Sequence, residues 1–111
     1  MRIEIRGRNT PVTDTVRSHV EDRFRVVSKQ VSELAQLDIE LLVEQNPAIA
    51  SGKIAEATLH LKGVTLRARE ASADLTHSID MCADKLARQV KRHREKRRNR
   101  RSRIEAADAA T

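Results

Sequence analysis

Residues 2–6, Arg-Ile-Glu-Ile-Arg, alternate charged and apolar positions, the signature of a half-buried strand with Ile3 and Ile5 turned inward. Gly7, Asn9 and Pro11 stop that strand, and Thr13 or Asp14 can cap the helix that follows. The helix carries an apolar stripe of Val16, Val20, Phe24, Val27 and Val31, with Arg17, Glu21, Asp22, Arg25 and Lys29 cancelling outside it. A second strand is predicted over 37–43, with Leu37, Ile39, Leu41 and Val43 on one face and Asp38, Glu40 and Glu44 on the other. Residues 45–52 contain Asn46-Pro47 and Ser51-Gly52 and read as a loop.

Strands over 54–61 and 64–71 are separated only by Lys62-Gly63, which predicts a two-residue hairpin. Its register pairs Leu61 with Val64, Leu59 with Leu66 and Ala57 with Ala68, all apolar, and sets Thr58 beside Arg67 and Glu56 beside Arg69 on the opposite face. The expected order is β-α-β-β-β-α. The first two strands should form a right-handed parallel unit, and the second to fourth an antiparallel meander. Each strand has a single apolar face, so the fold class is α+β: a four-stranded mixed sheet with two helices packed on one face. On the open face Arg2, Arg6, Lys62, Arg67 and Arg69 are matched by Glu4, Asp38, Glu40, Glu44 and Glu56, which makes the sheet itself a poor phosphate trap.

The last helix places Leu75, Ile79, Cys82, Leu86 and Val90 on one face. Beyond Val90 the apolar repeat ceases until Ile104. Residues 1–90 hold 13 basic and 13 acidic residues, whereas 91–103 hold nine Lys/Arg against Glu95 alone. The net charge of +6 therefore belongs to the end of one helix and its extension, which should project beyond the sheet or be disordered. Charge of that density calls for a polyanionic partner, most often a nucleic-acid backbone, with a plain solubilising tail as the alternative. Phe24 is the only Phe, Tyr or Trp, so the chain has no exposed ring of that kind to spare for stacking bases, and contact with a nucleic acid should run through phosphates and shape.

Lys85, Arg88 and Arg92 fall on one strip beside the apolar stripe, and Lys96 extends the line. Asp84 can pair with Arg88 four residues on, and Lys85 and Arg88 read equally well as an ordinary solvated face. Catalysis finds no support. His77, Ser78 and Asp80 are helix neighbours pointing about 100° apart and cannot converge as a triad. His19, His60, His77 and His93 lie on separate elements without ligand spacing, and Gly7, Gly52 and Gly63 form no phosphate loop. The expectation is a protein that is not an enzyme, with no metal, cofactor or small-molecule substrate. Cys82, the only cysteine, lies on the apolar face and reads as core. No stretch approaches the length of a membrane span or the apolar core of a signal peptide, which predicts a cytoplasmic protein without a membrane partner.

With these elements placed, the sequence resembles the ribosome hibernation promoting factor and ribosome-associated translation inhibitor family. The resemblance rests on Gly7-Arg8-Asn9, on Val12-Thr13-Asp14 and mainly on the last helix. There, residues 74–80 (DLTHSID) and 84–90 (DKLARQV) look like the family's D-M-Y-A-A-I-D and D-K-L-x-R-Q patterns. Thr76 stands where the family usually has Tyr, and His77-Ser78 replace two alanines. The resemblance covers roughly residues 1–96 and implies a monomer that binds the small ribosomal subunit in the channel between head and body. Overlap with the mRNA and tRNA sites would inhibit translation in stationary phase or stress. Carried over to matching positions, the RNA-binding residues would be Lys85, Arg88, Lys91, Arg92, Arg94 and Lys96, with Arg6 and Arg8 from the end of the first strand. The expected division is a ribosome-binding α/β domain over 1–96 and a flexible basic, then Ala-rich, tail over 97–111. Tail contacts would come from Arg97, Arg98, Arg100, Arg101 and Arg103. The chain has no room for the C-terminal dimerising domain of long members and reads as a short form. Two other readings stay open: a general double-stranded RNA-binding module, and a protein-interaction module whose basic tail meets an acidic partner.

Overall fold

The chain runs β1 (Arg2–Arg8), α1 (Asp14–Arg23), α2 (Arg25–Ser28), β2 (Gln36–Val43), β3 (Lys53–Leu61), β4 (Val64–Ser72) and α3 (Leu75–Ala110). This computed structural model describes the backbone of residues 1–110 and the side chains of residues 1–101. The sheet has the order β1-β2-β3-β4, with β1 and β2 parallel and the other neighbours antiparallel. The α+β expectation holds, and so does the hairpin register: Leu61 pairs with Val64, Leu59 with Leu66 and Ala57 with Ala68. Gly63 turns that hairpin at φ 79°, a left-handed conformation that costs glycine nothing.

Register sorts the two faces. Across the sheet, Ile3, Leu37, Leu59 and Leu66 share one row and Ile5, Ile39, Ala57 and Ala68 the next, all turned toward the helices. The alternate rows, Glu4-Asp38-Thr58-Arg67 and Arg6-Glu40-Glu56-Arg69, face away. Val20, Phe24 and Val27 from α1 and α2 join Ile79, Cys82, Leu86 and Val90 of α3 in a single core cluster with the inner strand face. Small residues let α3 approach closely: Ala55, Ala57 and Ala68 on the strands, Cys82 and Ala83 on the helix. Cys82 Sγ donates to the Ala68 carbonyl at 3.4 Å, and burial pushes its thiol up to about 12, so it stays protonated and inert at neutral pH.

One element differs from expectation. Thr13 does cap α1, its Oγ1 accepting from the Val16 N–H at 3.2 Å. The helix then stops at Arg23, because Phe24 leaves the helical region at φ −87°, ψ 3°, and a single further turn forms α2. Val31 lies beyond α2 and is half-buried. The break redirects the chain toward β2 while both Phe24 and Val27 stay buried, so the apolar spacing that predicts one helix survives across it.

Candidate nucleic-acid interface

α3 is anchored at its start by hydrogen bonds that the sequence pattern alone does not show. Asp74 caps it, Oδ1 accepting from the Thr76 N–H at 3.1 Å. Ser78, fully buried, donates to the Lys53 carbonyl at 2.6 Å and meets Ser72 Oγ at 2.7 Å, which ties the first turn to β3 and β4. On the side facing α1, Asp80 Oδ1 lies 2.7 Å from His19 Nε2 and 3.0 Å from Arg23 Nε, while Asp84 lies 3.7 Å from Arg23. Asp84 thus turns to α1 and not to Arg88, because a helix packed alongside offers a cation nearer than the next turn of its own helix.

The other side of α3 looks over the β4 edge of the sheet. Gln89 Nε2 donates to the Arg67 carbonyl at 2.7 Å, and Lys85 Nζ lies 3.6 Å from Glu70. Lys85 also shares a shallow depression with Arg67, Arg69, Glu56 and Ala68. Arg67 and Arg69, which the sequence places only on a charge-balanced sheet face, therefore adjoin the helix strip on an edge strand. Their signal lay in the alternation of β4 combined with the strand order, which sequence reading does not supply. Arg69 remains bound to Glu56 at 3.5 Å, the cross-strand pair that the hairpin register predicts.

Arg88, Lys91 and Arg92 are exposed, and Val90 is the last buried position of α3 among the described residues. From there the helix overhangs. Its 36 residues span about 54 Å at 1.5 Å per residue, against molecular widths of 27 and 18 Å. Arg94, Lys96, Arg97, Arg98, Arg100 and Arg101 are all exposed on this overhang, and His93 is half-buried at its root. The side chain of Arg103 lies outside the described residues. Helical backbone continues through 97–110, the stretch expected as a flexible tail. Among the described residues, the ion pairs of α3 involve Asp80, Asp84 and Lys85, and none involves a basic residue further along.

Arg6 and Arg8 are not brought to this group. Both sit on the open sheet face, and Arg8 shares a row with Leu42, Ile54 and Ala71, at the end where α3 begins and away from its exit near Arg67. Arg8 lies 3.7 Å from Glu40. Arg6 adds to the field at Asp38, whose carboxyl the Gln36 amide holds below the ordinary value by donating to it at 2.9 Å; His60 assists and partial burial opposes. Among the described residues no cluster of side chains suits a metal ion, and no helix is long and apolar enough to cross a membrane.

The fold and this surface define a small α+β domain whose last helix carries a dense excess of positive charge past its core, with no ion pair there among the described residues. The chain belongs to the family described as Sigma 54 modulation protein / S30EA ribosomal protein, whose pattern matches residues 3–98. It is 35% identical over 97 residues to a ribosome hibernation promotion factor of Picosynechococcus sp., covering 86% of this chain and 50% of the relative, so it spans half that protein's length. It is 32% identical over 109 residues to a ribosome hibernation promoting factor of Azotobacter vinelandii, covering 98% of this chain and 97% of the relative. Among solved structures it is similar to the N-terminal domain of Thermus thermophilus Protein Y. There the TM-score is 0.72 and the identity 30%, with 84% of this chain and 99% of that one covered.

Proposed function

We propose that the protein is a ribosome hibernation factor of the cytoplasm, which binds the small ribosomal subunit through RNA phosphates and blocks the channel used by mRNA and tRNA. It would act stoichiometrically, without catalysis, under stress or in stationary phase. Family membership supports the ribosome as partner, and relatives along the chain's length carry hibernation-factor names. The observation that carries the RNA-phosphate reading is the exit of α3 from the core at Val90, after which exposed Lys and Arg side chains have no acidic partner among the described residues. Lys85 and Arg88 lie where α3 is still packed on the domain, and Lys91, Arg92, Arg94 and Lys96 continue the contact past Val90. The near absence of aromatic residues fits binding by backbone and shape.

The test is sedimentation with purified small subunits across a salt series, in the presence of excess unrelated RNA duplex. Retention despite the competitor is expected, together with release of an Arg88→Glu/Arg92→Glu variant. Release of the natural chain by the competitor would reduce the protein to a general duplex binder, and loss of binding after nuclease treatment would exclude an acidic protein partner.

A further inference from the structure

The two edges of the sheet are finished differently. α3 packs over β3 and β4, and Gln89 takes up the Arg67 carbonyl on the β4 edge. No such contact closes β1. Arg2 donates its backbone N–H to the Ala35 carbonyl, so by alternation Arg2, Glu4, Arg6 and Arg8 direct their backbone groups to β2, and Ile3, Ile5 and Gly7 direct theirs to the open edge. Among the described residues no backbone group outside the sheet answers them. The core thins at the same place. Leu37, Leu59, Ile39 and Ala57 are buried, whereas Ile3 and Ile5, at the β1 end of those two rows, are only half-buried.

We propose that β1 pairs antiparallel with β1 of a second copy of this chain, about a two-fold axis at Ile5, joining the two four-stranded sheets into one. Charge sets the register. Ile5 exchanges backbone hydrogen bonds with Ile5 of the second copy and Ile3 with Gly7, so Glu4 falls opposite Arg6 on both sides of the axis, in the non-hydrogen-bonded positions where side chains approach most closely. A slide of two residues sets Glu4 against Glu4 or Arg6 against Arg6, and longer slides leave Gly7 or Ile3 without a partner on β1. Arg2 faces Arg8 at the two ends, but each has an acid of its own copy alongside, Glu4 at 3.9 Å and Glu40 at 3.7 Å. The helix layer repeats the complementarity. His19 faces α3, and at about 100° per residue Arg17 and Glu21 each lie about 160° away from it, exposed on the flank of α1 that looks past β1. The two-fold keeps both helix layers on one side of the joined sheet and runs the two α1 helices antiparallel, which turns Arg17 of each copy toward Glu21 of the other. This interface goes beyond the function proposed above and does not rest on it. The monomer that the family resemblance implies would be the dilute form.

The test is sedimentation velocity of the full chain at low ionic strength and increasing protein concentration, after nuclease treatment so that shared RNA cannot bridge two basic overhangs. A reversible monomer–dimer equilibrium is expected. Glu4→Arg alone and Arg6→Glu alone should each weaken the dimer about tenfold, because two attractive pairs become repulsive, and Glu4→Arg/Arg6→Glu together should restore it. Arg17→Glu should weaken it by about threefold, and adding Glu21→Arg should restore it. Circular dichroism checks that each variant is folded. Should the strand variants fail to fold, the α1 exchange, made at exposed helix positions, decides the question. A natural chain that stays monomeric at every concentration would overturn the proposal. So would a dimer that the single reversals leave within twofold, which would place the contact elsewhere, or one that the exchanges do not restore.

Discussion

Gln89 and Arg67 are joined by a hydrogen bond of 2.7 Å from the side-chain amide of the first to the main-chain carbonyl of the second. The bond pins α3 to the open edge of β4 one residue before Val90, the last buried position of the helix among the described residues. It also satisfies a carbonyl that an edge strand would otherwise leave for another chain to pair with. Gln89 is the glutamine of the D-K-L-A-R-Q stretch, and its place in the structure gives that residue a physical role, since it fixes the direction in which the basic overhang leaves the domain.

Replacing Gln89 by Ala should therefore lower stability by about 0.5–1.5 kcal/mol, the net worth of one intramolecular hydrogen bond. Urea unfolding reads the change as a lower midpoint at constant slope. Gln89→Glu, which can no longer donate to the carbonyl, should cost at least as much. An unmoved midpoint in both variants would show that water replaces the amide without loss.

Ser78 offers a second check on how α3 is anchored. Its hydroxyl has a single proton, donated to the Lys53 carbonyl at 2.6 Å, and it can accept from Ser72 Oγ at 2.7 Å. Ser78→Ala should cost about 1–2 kcal/mol. Ser78→Val removes the same hydroxyl and adds methyl groups at a fully buried position, and should be the more damaging of the two in thermal unfolding.

What the sequence showed and what it hid divide along a physical line. The β3–β4 register was legible because a two-residue turn leaves one pairing, and the alternation of Leu59, Leu61, Val64 and Leu66 tests it at every step. The apolar stripe of α3 was legible for the same reason, as a local periodicity. The break at Phe24 was hidden because buried residues keep helical spacing across it. The Asp80 contacts with His19 and Arg23 join residues about sixty positions apart, and no local pattern announces them. In the candidate interface, charge counting found the overhang. It could not show that Asp84 turns to Arg23, that Arg67 and Arg69 adjoin Lys85, or that Arg6 and Arg8 lie away from the helix exit.

Asp38 gives a pH dependence with a definite sign. The Gln36 amide, with His60 and Arg6, holds its carboxyl below the ordinary value in the folded protein. A carboxyl lowered by folding stabilises the folded state above its unfolded pKa of about 4, and that contribution disappears as pH falls through the lower folded value. Asp38→Asn should therefore melt below the natural chain at pH 7, and the gap should close as the acid limb is traversed. A gap that persisted once the pH lay below the lowered folded value, where both states are protonated, would assign the effect to packing or hydrogen bonding of the neutral side chain, not to charge.

Truncation after Lys96 separates what the overhang does for stability from what it does for binding. No residue of 91–101 is buried, so the described part of 97–111 contributes nothing to the core, and the urea midpoint should stay where it is when that stretch is removed. The same cut deletes Arg97, Arg98, Arg100 and Arg101, each exposed, and each phosphate they no longer neutralise should lower the salt slope of small-subunit binding by about 0.7–0.9. The domain would then keep the flatter salt dependence of its own cations, chiefly Lys85, Arg88 and Arg92. A lower midpoint would mean that the overhang folds back on the domain, and an unaltered slope would make it a bystander. Unchanged stability with a flattened slope is the result expected of a segment that projects from the domain and contacts RNA.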